Sequence, residues 1–579
     1  MMKPRSVRKP PSRTLSEADL HRRIGQVQTA VEHGQIEQAL RLLTPETLEA
    51  VERAVASGPA GVDLAMTLAG IFHRARLLDR AERYYRRVLQ VTPHPLALVN
   101  LGHICHFTGR LSEAIDLRQK AMSLCPDDAS LGADLGTSLV FVGRQEEGLA
   151  LLRRAAETSG DRSIHSMYLM NLHYLPSLDG PALFEEHRRW ARAYAPAGLA
   201  RQDHLRDRDP DRRLRIGYLS PDFRTHPVAF FLESLLDGHD RSSVEVFGYG
   251  HVACPDQTTW RMQARCDAFR SVCGLDDQAA AALVEHDQID ILVDLAGHTG
   301  GHRLDVLALK PAPIQVTYLG YPDTTGMDQV DYRLTDDLAT PSSLQSCYSE
   351  QLVRLPEGFL CYRPPESSPQ VDPPPSLKTG CVTFGVFNDS SKVNGPLVSL
   401  WAQILEATAG SRLLLKSRAG DDPGVRQLFL DRFQQAGIPP ERIAIQGQKP
   451  LIEYLRLYNE VDIALDTFPY NGTTTTCDAL WMGVPVVSLA GEHHASRVGL
   501  SILSRLELGS LVAASPQEYV AKATDLAQQP EALGKLRATL RPSMMTAGGL
   551  CDAKAFARAV ESAYRQMWQR WCQTARGPR

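Results

Sequence analysis

The sequence predicts an α-helical repeat superhelix followed by two α/β lobes, each built on a doubly wound parallel sheet. Three observations carry that prediction. A period close to 33 residues runs through positions 60 to 160. After residue 213, short apolar strands alternate with helix-length segments in two series, separated by a proline-rich break. One strand of the second series runs into Asn471-Gly472 and four threonines, Thr473 to Thr476, that open a helix.

Residues 1–20 read as a disordered basic tail, because five of the 63 basic residues crowd into Lys3 to Arg13 among prolines and serines, with no apolar run. Residues 21–200 read as the helical array. Small residues recur as Gly70, Gly102 and Gly136, at intervals of 32 and 34, and as Ala81, Ala114 and Gly148, at 33 and 34. Each unit is a pair of helices joined by a short turn, as at Arg76-Leu77-Leu78-Asp79, Gly109-Arg110-Leu111-Ser112 and Gly143-Arg144-Gln145-Glu146. Pro93 and Pro126 close two of the helices. This is the tetratricopeptide period, in which small residues let paired helices approach closely. His33 to Leu40 reads as a degenerate earlier repeat, and helical patterns at 163–174 and 181–194 are expected to cap the array.

The first lobe is expected at 213–365, with strands at 214–220, 244–250, 291–296, 315–319 and 333–335. A proline-rich linker covers 366–380. The second lobe, 381–555, has strands at 382–387, 412–416, 442–446, 461–465 and 484–489. Apolar runs of this kind fit strands buried on both faces, and such sheets bind ligands at their carboxyl ends. The segment 556–579 closes the chain with an amphipathic helix and tail, able to pack on either sheet.

Hydrophobic content of 43% and 22% charged residues fit a globular chain, and a net charge of -4 supplies no drive toward nucleic acid or anionic membrane. No window approaches the ~18 apolar residues a membrane span needs. The 11 cysteines form no CxxC pair, which suits a reducing compartment. A cytoplasmic protein is expected, without nucleic-acid or membrane partners.

The chemistry concentrates at strand ends. Gly472 lets the backbone come close to a ligand, and the threonines that follow put hydroxyls and free amides where the helix dipole favours an anion. Asp478 lies about one turn on, where a carboxylate suits ribose hydroxyls better than phosphate. A sugar nucleotide fits that pair. Taken alone, the motif fits equally a threonine-capped helix with a solvated aspartate. Lys392 ends the loop Phe387-Asn388-Asp389-Ser390-Ser391-Lys392, just past a strand, where it can meet a diphosphate. In the first lobe, His226 follows a strand in Ser220-Pro221-Asp222-Phe223-Arg224-Thr225-His226-Pro227, on the rim of the cleft. A histidine there can act as base or hydrogen bonder. Gly297-His298-Thr299-Gly300-Gly301 and the run from Tyr318 to Gly326 can line a sugar pocket. His493 and His494 lack the i, i+4 spacing of a helical metal site, so no metal is expected.

The helical repeats, the His226-Pro227 motif and Pro311-Ala312-Pro313-Ile314-Gln315 with Leu319-Gly320-Tyr321-Pro322 come in the order of a known family. So do the loop ending at Lys392, Leu465-Asp466-Thr467 with the threonine helix, and Ala495-Ser496-Arg497-Val498. The chain resembles the nucleocytoplasmic O-GlcNAc transferases, their shorter bacterial members in particular. The resemblance implies a GT-B fold and inverting transfer of N-acetylglucosamine from UDP-GlcNAc to serine or threonine hydroxyls of proteins. It implies no metal or cofactor, and protein or peptide acceptors guided by the repeat array. It casts Lys392 as stabiliser of the leaving diphosphate and His226 as catalytic base or donor ligand. Thr474 and Thr475 then bind phosphate, Asp478 ribose, and Leu319 and Gly320 the sugar, with Thr473 also in the donor site. Asp389, Tyr454, Lys449, Pro313 and Pro322 complete the implied donor site.

Departures from the best-known animal member bear on the donor. Asp389 stands where that member has glutamine, so it must turn away or pair with Lys392. Leu451 and Tyr454 replace its uracil-side lysine and histidine, leaving Tyr454 to stack on a base and Lys449 to supply charge. Thr473 replaces a histidine. The asparagine-ladder positions read Leu68, Asn100 and Asp134. Two alternatives stay open: a GDP-fucose-dependent transferase, as in a plant branch of the same architecture, and a repeat scaffold with an inactive transferase half.

Overall fold

The computed structural model describes residues 15–33, 35–177, 179–200, 204 and 206–574. The basic stretch Lys3 to Arg13 lies outside them. The expected tail does not extend to residue 20. Helix Glu17–Glu32 starts earlier, with Ser16 accepting from the Asp19 amide at its N-cap. Leu20, Ile24, Val27 and Val31 form a buried stripe at helical spacing, and that stripe holds the segment in place.

The helices up to Ser138 and the chain from Leu139 onward form two compact units. In the first, Pro59–Arg74 pairs with Leu78–Val91 and Pro95–Phe107 with Leu111–Leu124. Ala81 and Ala114 are fully buried, and a Cβ on Gly102 would stand 3.3 Å from the Arg118 side chain. Gly70 differs: a Cβ there would meet nothing, so its size is no packing requirement. The turns share a left-handed residue, Arg76 at φ 59, Gly109 at φ 81 and, one repeat later, Gly143 at φ 76. The ladder positions have unlike surroundings. Leu68 is buried, and Asp134 pairs with His103 at 2.7 Å.

In the second unit, the first sheet contains β1 (Leu214–Ser220), β2 (Val244–Gly250), β3 (Ala268–Ser271), β4 (Ile291–Asp294), β5 (Ile314–Thr317), β6 (Tyr332–Thr335) and β7 (Gln351–Arg354). Its order is β3-β2-β1-β4-β5-β6-β7, parallel throughout. The second contains β8 (Thr383–Val386), β9 (Arg412–Lys416), β10 (Ile443–Gln446), β11 (Ile463–Leu465), β12 (Val486–Leu489) and β13 (Val512–Ala513). Its order is β10-β9-β8-β11-β12-β13, again parallel. Both are doubly wound sheets. The strands absent from the sequence reading are β3, β7 and β13, all at sheet edges. β3 has no fully buried residue and β7 only one, so neither carries an apolar run.

Helices Arg162–Leu172 and Gly180–Tyr194 follow the array as expected, the first packing on the repeat helix Gln145–Ser159 and the second on the first, and both also pack on the first lobe. His187 Nε2 lies 2.6 Å from the Tyr321 hydroxyl, Ser166 Oγ lies 3.0 Å from His298 Nδ1, and Arg188 pairs with Asp328 at 2.6 Å. The closing helix Ala553–Thr574 returns to the same lobe. Its Glu561 holds His239 at 2.7 Å, and Trp568 Nε1 donates to the Asp209 carbonyl. The proline-rich linker is pinned to the second lobe, where Ser376 Oγ donates to Asp462 at 2.7 Å and Arg541 to the Pro369 carbonyl at 2.9 Å. Among the described residues, no helix is long and apolar enough to cross a membrane.

Candidate active site

The loop after β11 is built around Asp466. Its buried carboxylate accepts from the Gly472 amide at 2.6 Å, the Thr467 amide at 2.9 Å and the Ser488 hydroxyl at 2.7 Å. Asn471 donates through its side chain to the Thr467 carbonyl at 2.8 Å. A Cβ on Gly472 would meet the Thr475 hydroxyl at 2.5 Å, so the chain has room there only for glycine. Helix Thr474–Trp481 begins at this fixed point. Thr473, Thr474 and Thr475 are each part-exposed at its mouth, whereas Thr476 onward is buried. The hydroxyls of Thr473 and Thr474 have no partner among the described residues, while Thr475 donates to Asn388 at 2.6 Å. First-turn amides and two free hydroxyls thus lie at a part-exposed helix start where the dipole is positive.

Lys392 comes to the same loop. Its ammonium donates to the Asn471 carbonyl at 2.8 Å and lies 3.9 Å from the centre of the Tyr470 ring. Burial pushes its pKa down to about 8, against the pull of Asp466 and Asp389. Asp389 turns away from the ammonium: it accepts from Ser391 at the backbone amide (3.1 Å) and at the hydroxyl (2.9 Å), capping the turn that carries Lys392.

One turn into the helix, Asp478 is buried, not solvated. The Tyr362 hydroxyl, from the first lobe's end, and the Tyr454 hydroxyl donate to its two oxygens at 2.5 and 2.9 Å. Burial raises its pKa to about 6 despite both bonds. Tyr454, also bonded to Tyr458 at 2.9 Å, lies in helix Leu451–Leu457. One face of its ring is covered by Lys416, the last residue of β9, whose ammonium stands 4.7 Å from the ring centre. Base stacking at Tyr454 is therefore limited to what Lys416 leaves free. Lys449 sits half-buried two residues before that helix.

His226 lines a cavity of about 290 Å³ between the lobes, with Phe230, Arg261 and Arg363 from the first lobe, Glu366 and Ser367 from the linker and Leu451 and Ile452 from the second. Its Nδ1 is 3.4 Å from a carboxylate oxygen of Asp222 and 3.4 Å from the Val228 amide. Burial, then Arg224 and Arg418, lowers its pKa to about 4, so the ring is neutral at pH 7; burial raises Asp222 to about 6. Lys392 and the threonines do not line this cavity. Helix Leu451–Leu457 connects the two places, contributing Leu451 to the cavity and Tyr454 to Asp478.

Leu319 and Gly320 follow β5 and are the part-exposed residues in an otherwise buried run from 311 to 327. Leu319 has φ 72, and the Gly320 amide donates to the Tyr318 carbonyl at 2.9 Å, the pattern of a strained γ-turn. Of the implied donor contacts, Pro313 is buried immediately before β5, at the amino end of the sheet, opposite the end where ligands bind, while Pro322 is buried in the turn that carries Leu319 and Gly320. The Gly297–Gly301 turn is also less open than its glycines suggest, because His298 is buried and held by Ser166 and by the Thr325 carbonyl at 2.9 Å. Motif reading passed over the supports Asp466, Asn388 and Tyr362, together with Lys416. Lys416 had a visible signal, a cation at the carboxyl end of a strand.

A sequence profile described as Glycosyl transferase family 41 matches residues 200–362 and 375–560, and a tetratricopeptide repeat profile matches 97–131. The chain is 42% identical over 413 residues to a rice (Oryza sativa subsp. japonica) protein named "Probable UDP-N-acetylglucosamine--peptide N-acetylglucosaminyltransferase SPINDLY", which covers 70% of this chain and 44% of that protein. It is 34% identical to the Arabidopsis thaliana protein of that activity named SEC, over 62% of this chain and 38% of that one. The chain therefore spans less than half the length of these curated relatives. A solved structure titled as a lysine-to-methionine mutant of the Thermobaculum terrenum O-GlcNAc transferase superposes with a TM-score of 0.85 at 37% identity. The match covers 90% of this chain and 99% of that one. On the breadth of the profile match and this superposition, the chain belongs to glycosyl transferase family 41.

Proposed function

We propose that this protein transfers N-acetylglucosamine from UDP-GlcNAc to serine or threonine hydroxyls of proteins, with inversion and without a catalytic metal. The observation that carries the reading is the Lys392 ammonium on the Asn471 carbonyl, three residues before the threonine-opened helix. An acceptor hydroxyl attacks the anomeric carbon from the face opposite UDP. The bond from that carbon to the β-phosphate oxygen breaks, and its electron pair leaves with UDP. Lys392 and the amides around Thr474 take up the charge, a task divalent cations perform in other transferases. The acceptor proton passes to neutral His226. Nδ1, which accepts from the Val228 amide, is the basic nitrogen, and an ionised Asp222 3.4 Å away stabilises the imidazolium that forms. Asp478 and Tyr454 mark the nucleoside end, and cytoplasmic protein acceptors complete the reading.

The test is Lys392→Ala with a UDP-GlcNAc and GDP-fucose panel. Turnover with UDP-GlcNAc should fall by about a hundredfold or more, as for loss of one oxyanion-stabilising group, with UDP affinity changed far less and activity unaffected by chelators. Equal losses of turnover and UDP affinity reject the leaving-group role. Binding of GDP with none of UDP rejects the donor.

A further inference from the structure

The loop that carries Lys392 is held from outside the second lobe. Gln145 opens helix Gln145–Ser159, the second helix of the last repeat, and is buried. Its side-chain amide donates to the Ser391 carbonyl at 3.1 Å and to the Val393 carbonyl at 3.0 Å, across 246 and 248 residues of sequence. Those two carbonyls flank Lys392 on either side. The turn before Gln145 is fitted to the same loop. Gly143, at φ 76, would place a Cβ 2.7 Å from the Val393 carbonyl, and its own carbonyl accepts from Arg432 at 2.7 Å. A second brace comes from Tyr174, whose ring stacks on Tyr470 at 5.5 Å, beneath the Lys392 ammonium.

We propose that Gln145 is a positioning residue for the leaving-group lysine: one amide clamps the backbone on both sides of Lys392 and holds its ammonium at the threonine-helix mouth. The inference rests on the role given to Lys392 above. A neutral amide suits the task, because a backbone carbonyl needs a donor and a second cation would repel the ammonium. Of the charged groups near the ammonium, Asp389 is occupied by Ser391 and Asp466 by its own loop. Its reach to the Asn471 carbonyl and the Tyr470 ring therefore depends on where the backbone that Gln145 clamps places the side chain. Without the clamp, the loop gains access to water and Lys392 regains hydration.

Gln145→Leu removes both bonds at nearly constant volume, and Gln145→Asn, too short to span both carbonyls, serves if the first variant does not fold. Turnover should fall about tenfold with KM for UDP-GlcNAc within a factor of two, and the alkaline limb of the rate profile should move above 8. In a Lys392→Ala background the same change should cost no further turnover. A tenfold loss in both backgrounds, or an unmoved alkaline limb, overturns the proposal in favour of a structural role. If wild-type protein shows no transfer at all, the functional reading fails by itself. The clamp is then still tested by NMR titration of isotopically methylated Lys392, which should shift upward in the variant; an unshifted titration overturns it.

Discussion

Asp222 and Lys392 together set a pH window for the proposed reaction. Burial raises Asp222 to about 6, and it must be ionised to stabilise the His226 imidazolium, while Lys392, pushed down to about 8 by burial, loses its charge above that value. The profile of kcat/KM should therefore be bell-shaped, with limbs near those values, and Asp222→Asn should abolish the acid limb near 6. A flat profile from pH 5 to 9 would contradict this assignment. Lys416 gives a second prediction at the same scale. It is a part-buried ammonium over the Tyr454 ring, with burial and Arg418 pushing its pKa down while Asp389 and Asp478 oppose. Such a cation is free to donate to the nucleoside end of a donor. Lys416→Met should weaken UDP binding by about tenfold, the ~1.4 kcal/mol of one charged hydrogen bond, and calorimetry giving the wild-type Kd would reject the contact.

At the scale of elements, the turn after β5 is the least forgiving. A Cβ on Gly320 would overlap the Leu295 carbonyl, and Leu319 already holds φ 72. Gly320→Ala should lower stability by about 1–3 kcal/mol, the usual cost of overpacking, and a denaturation midpoint equal to wild type would contradict it. Elements also show where sequence reading succeeds. β1, β2 and β9 match their predicted bounds because each is a buried apolar run closed by a turn, a property local to the residues themselves. β3, β7 and β13 escaped because an edge strand borrows its partner from a distant segment and is half-exposed, leaving no run to see. The threonine helix and Lys392 were legible as motifs at strand ends. The burial of Asp478 was not, because the hydroxyl of Tyr362 arrives from a position 116 residues away.

Across the whole molecule, histidines govern the response to acid. An unfolded histidine takes up its proton near 6.5, whereas burial holds His165, His187, His226 and His302 near 4 and keeps His173, His298 and His494 well below the free value. Between those values the unfolded chain binds more protons, so stability is full above 6.5 and falls as pH drops toward 4. Asp222, Asp323 and Asp478, each raised to about 6, act in the opposite direction, as do Asp294, Asp305, Asp331 and Asp466, also raised by burial; but His73, His239 and His493 are lowered too, so ten histidines stand against seven aspartates. The thermal unfolding midpoint should therefore drop on going from pH 7 to 5; an unchanged midpoint would show that these side chains are not buried neutral.

The sequence by itself determined what repeats or alternates over short distances: the 33-residue helical period, the apolar strands of two parallel sheets, and a threonine-opened helix after a glycine. Each follows from backbone geometry acting on neighbouring residues. Only the tertiary structure decided where those pieces land. The closing helix returns to the first lobe, Pro313 falls at the wrong end of its sheet, and Gln145 reaches the lysine loop from the last repeat. Those outcomes depend on which buried donors and acceptors find partners across hundreds of residues, and no local pattern encodes that pairing.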